Sequence, residues 1–474
     1  MIRKSIIFSL LLFGTGFFLA AQQPWSLEDC IQHAMENNIQ IKQTVLNTEY
    51  NENLLKQSKL GQIPSLSGSG NYSYSWGRAL DQTTYRYTDE QINSVNLGLT
   101  SYTNLFNGLQ VRNTIQQNEL NLMASYEDVQ KVKNDITLNI AAAYLSIMFN
   151  RELLAVTEIQ LETTGQQVER TKKMVDAGKL ARGNFLELQA QYASEELNLV
   201  NAENQLAISL LNLQQILDLP IDSAFDVIIP ELADPDVDPL LVNAMEVYRV
   251  AEQLMPEIKG AVLNLESTEK GVAIAKGGRS PQLYLSANVN TGYSDIREQV
   301  VSVSEPMQIP IGVTEGGETV YSMNAQEIPE FGAYPFGDQL RDNRYTGVGL
   351  GLSIPIFNGW QVNTSIANAR IMNENAKLEL QSQKLTLYAT IQQAYADAVA
   401  SLKKFNATKQ ALTSMEESFK YTEKKFEVGL VNTVDYNVSK NQLTSTQSDL
   451  LQAKYDFIFK TNVLNFYQGI PITL

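Results

Sequence analysis

The hexapeptide FNGLQV at 106–111 returns as FNGWQV at 357–362, displaced by 251 residues. The same displacement relates Gly178 to Gly429 and Pro220 to Pro471, so the stretch that follows the hexapeptide recurs without insertion. Upstream, IKQTVLN at 41–47 recurs as IKGAVLN at 258–264, and Pro64 as Pro281, both displaced by 217. The two displacements differ by 34 residues, which is one insertion in the second copy. One unit is written twice.

Each copy carries two segments with the period of a β-strand. In PSLSGSGNYSYSWG, 64–77, Leu66, Tyr72, Tyr74 and Trp76 fall on one face and Ser67, Ser69, Asn71, Ser73 and Ser75 on the other. At 94–103, Val95, Leu97 and Leu99 alternate with Asn96, Gly98 and Thr100. The second copy repeats the scheme at 282–293, with Leu283, Leu285, Ala287 and Val289 against Ser286, Asn288 and Asn290. Its fourth strand, 346–354, sets Val348, Leu350, Leu352 and Ile354 against Gly347, Gly349, Gly351 and Ser353. A soluble sheet on a core and a strand of a membrane barrel both read this way.

The remainder reads as helix. Residues 27–60 form one helical tract that Pro64 stops, and its equivalent precedes Pro281. After each FNG turn a helical tract runs over 109–177 or 360–428, roughly 100 Å at 1.5 Å per residue. Glycine reverses the chain, and a return tract of about 40 residues shows coiled-coil spacing, as at Leu206, Leu210, Leu213 and Leu217. Return tract and leading helix, laid end to end, match the long helix, which predicts a helical rod crowned by two hairpins. The proline-containing acidic stretch 221–239 is then a connector at mid-height.

The first residues predict export. Arg3 and Lys4 precede an apolar run and the small residues Ala20 and Ala21, the layout of a cleaved signal peptide over 1–21. The single cysteine, Cys30, follows Glu28 and Asp29 rather than the apolar run, which argues against a lipid anchor and leaves no internal disulfide. No later stretch shows the roughly 18 uninterrupted apolar residues of a spanning helix, so insertion in a bilayer must use strands. A formal charge of −16 argues against nucleic acid. There is no nucleophile motif, phosphate loop or metal cluster, so neither an enzyme nor a cofactor is expected. Cys30 and His33 stand three apart on a helix, a spacing read as structural rather than metal-binding.

Hairpins at the end of a rod have no core to cover and must meet lipid or another chain. Bilayers do not tolerate open strand edges, and four strands cannot close a barrel, so copies must pool theirs. Eight strands would leave an interior filled by side chains, whereas twelve leave a passage. Small lumen-facing residues such as Ser67, Ser69, Gly347 and Gly349 suit the wider passage, and three copies are expected, a count that rests partly on the resemblance that follows.

Hairpins behind a proline, the FNG turn into a long helix, the glycine reversal and an LP-type ending, all given twice, resemble the TolC-like family of outer-membrane efflux proteins over nearly the whole chain. The resemblance implies a mainly α protein with a membrane β-barrel, a homotrimer whose twelve-stranded barrel in outer-membrane lipid sits on a twelve-helix α-barrel in the periplasm. It further implies a passive exit duct for efflux or type I secretion, docked through its helical tips to a periplasmic adaptor protein and an inner-membrane transporter. The second tip matches the family signature at Gly429, Leu430, Val431, Thr433 and Asp435; the first offers Gly178 and Leu180, with Asn184 in the place of Asp435. The strand-to-helix turns are Phe106, Asn107, Gly108 and Phe357, Asn358, Gly359, and Leu109 and Trp360 stand where the family often has a second glycine. Tyr72, Tyr74 and Trp76 are expected on the lipid face, and Glu416 and Glu417 are candidates for an acidic constriction.

The predicted domains are a first repeat over 22–220 (β-hairpin 65–103, helical hairpin 107–219) and a second over 240–474 (β-hairpin 282–354, helical hairpin 358–470). The insertion, 294–344, is expected as a long external loop. A competing reading is a periplasmic or surface coiled-coil stalk without channel activity, which would have no use for aromatic residues facing outward.

Overall fold

A computed structural model describes residues 24–80, 87–220, 225–230 and 243–472. The expected signal peptide and much of the expected connector lie outside the described residues. In chain order the elements are α1 (Leu27–Asn37), α2 (Ile39–Leu60), β1 (Ser65–Leu80), β2 (Tyr87–Phe106), α3 (Gln110–Asp176), α4 (Arg182–Ile216), α5 (Ala244–Leu254) and α6 (Pro256–Gly277). Then follow β3 (Gln282–Ser294), β4 (Glu298–Val303), β5 (Pro310–Val313), β6 (Thr319–Tyr321), β7 (Pro329–Ala333), α7 (Phe336–Asp342), β8 (Tyr345–Ser353), α8 (Gln361–Glu427) and α9 (Thr433–Tyr467). The repeat holds to the residue: α3 and α8 have 67 residues each and α4 and α9 have 35 each, all displaced by 251.

The leading helical tract is two helices, not one. Asn38 has ψ 129°, which breaks the helix, and its side-chain Oδ1 accepts from the amides of Gln40 and Ile41 to cap α2. Met255, at the equivalent position, also has ψ 129° because Pro256 follows it. A hydrophobic period continues across a one-residue break, which is why the pattern alone merges the two helices.

The described residues divide into two compact units: those within 1–50, 123–263 and 377–474 form a helical unit, and those within 51–122 and 264–376 form a sheet unit. In the helical unit, α1 and the start of α2 pack on α3 and the end of α4 through Leu27, Cys30, Ala34, Ile41, Ile140, Tyr144, Met148 and Leu213. The second repeat builds the same contact from Ala244, Val247, Ala251, Ile258, Leu387 and Ile391. Helix α3 holds a window long and apolar enough to cross a membrane by length and composition. Ile136–Met148 of α3 nonetheless supply much of the first of these cores, so packing accounts for that apolarity. Of the expected connector, 225–230 is tied down: the Trp25 amide donates to the Asp226 carbonyl, the Ile228 amide donates to the Trp25 carbonyl, and the Tyr144 hydroxyl donates to the Ile228 carbonyl at 2.5 Å.

Helices α4 and α9 close in the same way with one informative exchange. Asp218 (φ 54°) and Gly469 (φ 80°) occupy equivalent left-handed positions after the helix. Asp218 tolerates that strained backbone because its Oδ2 accepts from the Ile39 amide at 2.8 Å, the first orphan donor of α2. At the position equivalent to Ile39 stands Pro256, which has no N–H to satisfy, and there glycine suffices.

In the sheet unit, four antiparallel strands lie in the order β1-β2-β3-β8, leaving β1 and β8 as edges. The sheet is not closed within the chain. The insertion 294–344 is structured: β4 pairs with β7 and β5 with β6, joined by a bridge between Met307 and Gln326, and α7 follows.

Candidate membrane sheet and helical tips

The registers put residue types in rows across all four strands. One row runs Ser69, Gly98, Asn290; the next runs Asn71, Asn96, Gly292; Ser286 faces Gly349 and Asn288 faces Gly347. Asparagine side chains cover the glycines of this face: a Cβ on Gly98 would fall 2.6 Å from the Asn290 amide oxygen, and one on Gly347 2.9 Å from that of Asn288. The opposite face collects Leu66, Tyr72, Leu97, Leu99, Val289, Leu285, Leu350 and Leu352. So one surface of the sheet is mostly serine, asparagine and glycine, with Tyr102, Tyr284 and Tyr345 among them, and the other is mostly aliphatic and aromatic. Tyr72, Tyr74 and Trp76 are exposed on the apolar face, with Tyr74 and Trp76 edge to face at 4.8 Å. The hydroxyls of Tyr72 and Tyr74 donate to Asn93 and Gln91 on β2. An apolar surface of this extent is not left in water.

The two FNG turns share one backbone. Gly108 and Leu109 have φ of 66° and 61°, and Gly359 and Trp360 have φ of 59° and 69°. Leu109 and Trp360 therefore adopt the left-handed conformation that glycine takes without strain. Asn107 also accepts from the Val111 amide, capping α3. The turns differ in cover. A Cβ on Gly108 would lie 2.4 Å from the Gly277 carbonyl and 2.7 Å from Ser280 Cβ, while one on Gly359 meets nothing within 4 Å. Phe357 is 83 % exposed and its counterpart Phe106 44 %.

At the helical tips, Gly178 (φ 72°) and Gly429 (φ 75°) make the reversals. The Asn432 side chain accepts from the Asp435 amide and caps α9, whereas Ala181 gives α4 no such cap. A groove of about 460 Å³ brings the two tips together, lined by Thr171, Met174, Leu180, Asn184, Leu430 and Val431 among others. Arg170 on α3 bridges to Glu427 on α8 beside it at 3.2 Å. Gly178, Gly429, Leu430 and Asp435 are exposed, as are Val428, Val434 and Val438. Thr433 is not: at 1 % exposure it faces inward with its hydroxyl unpartnered, next to Tyr436, which stacks on Phe426 at 4.5 Å.

A buried ion pair above the tips has no warning in the sequence. Lys440 Nζ lies 3.2 Å from Glu195 Oε1, with both side chains under a tenth exposed, and the Thr164 hydroxyl bonds to both groups. Burial lowers the Lys440 pKa and Glu195 opposes that shift. The pair joins α9 to α4 and, through Thr164, to α3. The residues are 245 positions apart, so no local period betrays them.

Glu416 and Glu417 are exposed on α8. Cys30 is buried, and desolvation pushes its thiol up to about 12. His33 packs edge-on to Trp25 and hydrogen-bonds Asn37.

A sequence profile described as "Outer membrane efflux protein" matches residues 30–218 and 247–467. The chain is 25 % identical to outer membrane protein TolC of Escherichia coli, over 96 % of this chain and 83 % of that one. It is 19 % identical to alkaline protease secretion protein AprF of Pseudomonas aeruginosa, over 97 % and 88 %. Among solved structures, the outer membrane protein VceC of Vibrio cholerae superposes with a TM-score of 0.73 at 16 % identity, covering 94 % of this chain and 97 % of that one. The Campylobacter jejuni CmeC outer membrane channel gives 0.72 at 14 %, covering 94 % and 85 %.

Proposed function

We propose, since this chain belongs to the outer membrane efflux protein family, that three copies pool their four-stranded sheets into a twelve-stranded barrel and form a passive exit duct for efflux or secretion. The chain is an outer-membrane protein. The observation that carries the duct is the sheet's two chemistries: lipid takes the aliphatic and aromatic face, and the serine, asparagine and glycine face lines water. The free edges of β1 and β8 then pair between copies, since hydrocarbon leaves no strand edge unsatisfied. The open turn at Gly359 supports the same assembly. By the repeat, the groups that stand to Gly359 as Gly277 and Ser280 stand to Gly108 are Leu60 and Ile63 of the next copy, and both are exposed in the single chain.

The tips are the docking end. The groove and the exposed Val428, Leu430, Val434 and Val438 offer an apolar surface for a periplasmic adaptor that links the duct to an inner-membrane transporter. Thr433 supports this surface from within. Glu416 and Glu417 of three copies ring the passage with acid and favour cations.

Planar-bilayer recording on the purified protein tests the reading. Stepwise cation-selective conductance is expected, with selectivity reduced by Glu416→Ala/Glu417→Ala. Leu430→Glu should leave conductance intact and abolish adaptor capture. A protein that extracts with carbonate and conducts nothing overturns the duct.

A further inference from the structure

The insertion between the third and fourth barrel strands is one long two-stranded ribbon, 298–333, turning at 314–318. Its base is fixed. Gln339 of α7, 0 % exposed, donates to the Ser294 and Tyr334 carbonyls and accepts from the Ser294 amide, and Thr291 donates to the Leu340 carbonyl. Beyond that base, no other described helix or strand packs on the ribbon. Paired positions share a face, and one face is apolar: Val300 opposes Phe331 and Val303 opposes Pro329, while Ser302 opposes Glu330 on the other side. Ile311, Val313 and Met323 farther out are exposed as well, Met323 by 96 %. A lone two-stranded ribbon in water is marginal, and one with this much exposed apolar surface requires a partner.

Three observations identify that partner. The ribbon re-enters the sheet through β8, an edge strand and, in the duct proposed above, the one at which a second copy joins. Strand β1, which would pair there, has 16 residues and β8 only 9, so the outer end of β1 in the next copy continues past β8 beside the ribbon's base. A bilayer strand needs about 9–11 residues, so that end stands clear of lipid. It carries exposed Leu80, paired with exposed Tyr87 at the start of β2, and Arg78 lies over the Tyr87 ring at 4.8 Å. Finally, the ribbon 298–333 holds Glu298, Glu305, Glu315, Glu318, Glu327 and Glu330 but no lysine or arginine. The ribbon has no internal counter-charge, is repelled by anionic lipid headgroups, and finds a cation in Arg78.

We propose that the ribbon 298–333 is a clasp between subunits, its apolar face laid on the protruding end of the β1–β2 hairpin of a second copy of this chain. The proposal rests on the oligomeric duct described above. The first hairpin carries no such insertion, which leaves space on the next copy for each ribbon.

Two differently tagged chains are co-expressed, one carrying Leu80→Cys and the other Phe331→Cys, with Val303→Cys as a second ribbon site; the buried Cys30 stays in place. A short bis-maleimide should then give a covalent dimer bearing both tags, absent when either cysteine is omitted. Native gels on the same membranes report assembly separately. Oligomers without the mixed dimer at either ribbon site overturn the clasp and leave the duct standing; absence of oligomers overturns both. A ribbon cysteine that links instead to a different protein assigns the face to that partner and overturns the second copy. Replacing 299–332 by Asn-Gly is expected to reduce SDS-resistant oligomer roughly tenfold at a fixed temperature, and an unchanged fraction counts against the clasp.

Discussion

The first and second repeats share helix lengths to the residue, yet they are not interchangeable. Where the repeat is covered by its own chain, as at Gly108, the turn is packed; where the equivalent cover would come from the beginning of another copy, as at Gly359, it is open. The repeats have also divided their polar work. The buried pair Lys440–Glu195 has Gln189 and Thr446 at the positions displaced by 251, and Asp218 has Gly469. Duplication fixes the backbone, and divergence records which neighbour each half meets.

The largest expected effect breaks this asymmetry at the ion pair. Lys440→Met strands the Glu195 carboxylate and should cost about 3–5 kcal/mol in denaturant unfolding of the detergent-solubilised protein, with Lys440→Met/Glu195→Leu recovering most of it. Gln189→Met, the same change in the first repeat, should stay within about 0.5 kcal/mol. Equal losses at the two sites would refute the division.

Next comes the pair of turns. Gly108→Ala meets both a left-handed backbone and the Gly277 carbonyl and should cost at least about 2 kcal/mol, whereas Gly359→Ala in dissociated chains pays only about 1 kcal/mol for the backbone. In assembled protein the second cost should rise toward the first, as seen in the heat needed to separate subunits. If it stays small, no neighbour covers that turn.

Asp218 sharpens the comparison at a smaller scale. Asp218→Gly removes the acceptor of the Ile39 amide and should cost about 1 kcal/mol. Adding Ile39→Pro, which recreates the Pro256 and Gly469 arrangement, should return it, and thermal melts of the three proteins check the order. Smallest is a pH effect. The Lys460 ammonium, 3.1 Å from Asp397, holds that carboxyl below its ordinary value. A depressed carboxyl stabilises the fold above its ordinary pKa near 3.8, and that contribution is lost as acid carries the pH below it. Between pH 6 and pH 3, Asp397→Ser/Lys460→Ser should therefore lose less melting temperature than the parent. Ser146 and Ser209 hold these places in the first repeat and titrate nothing.

Much of this was legible because duplication lets one half vouch for the other. The displacements relate the paired helices, the tracts between breakers locate α3 and α8 to within a residue and α4 and α9 to within a few, and alternation sorts the faces of β1, β2, β3 and β8. Breaks at Asn38 and Met255 were hidden because one residue does not interrupt a helical period, although Pro256, displaced by 217 from Ile39, marks the spot. At the tips, spacing located the glycine reversals but not the inward turn of Thr433, which depends on Phe426 and Tyr436 packing beside it. The ribbon reads as a loop because its strands are short and bulged at Val301 and Ile311, which scrambles alternation.

One consequence of the matched helices concerns measurement rather than contact. Two arms of 67 residues, each returning through 35, act as paired yardsticks. Excising a heptad from one yardstick keeps its buried stripe nearly in phase but ends it about 10 Å short, so the two tips would no longer share a rim. The place where length is free is the strand hairpin, and there the second half spends its 34 additional residues.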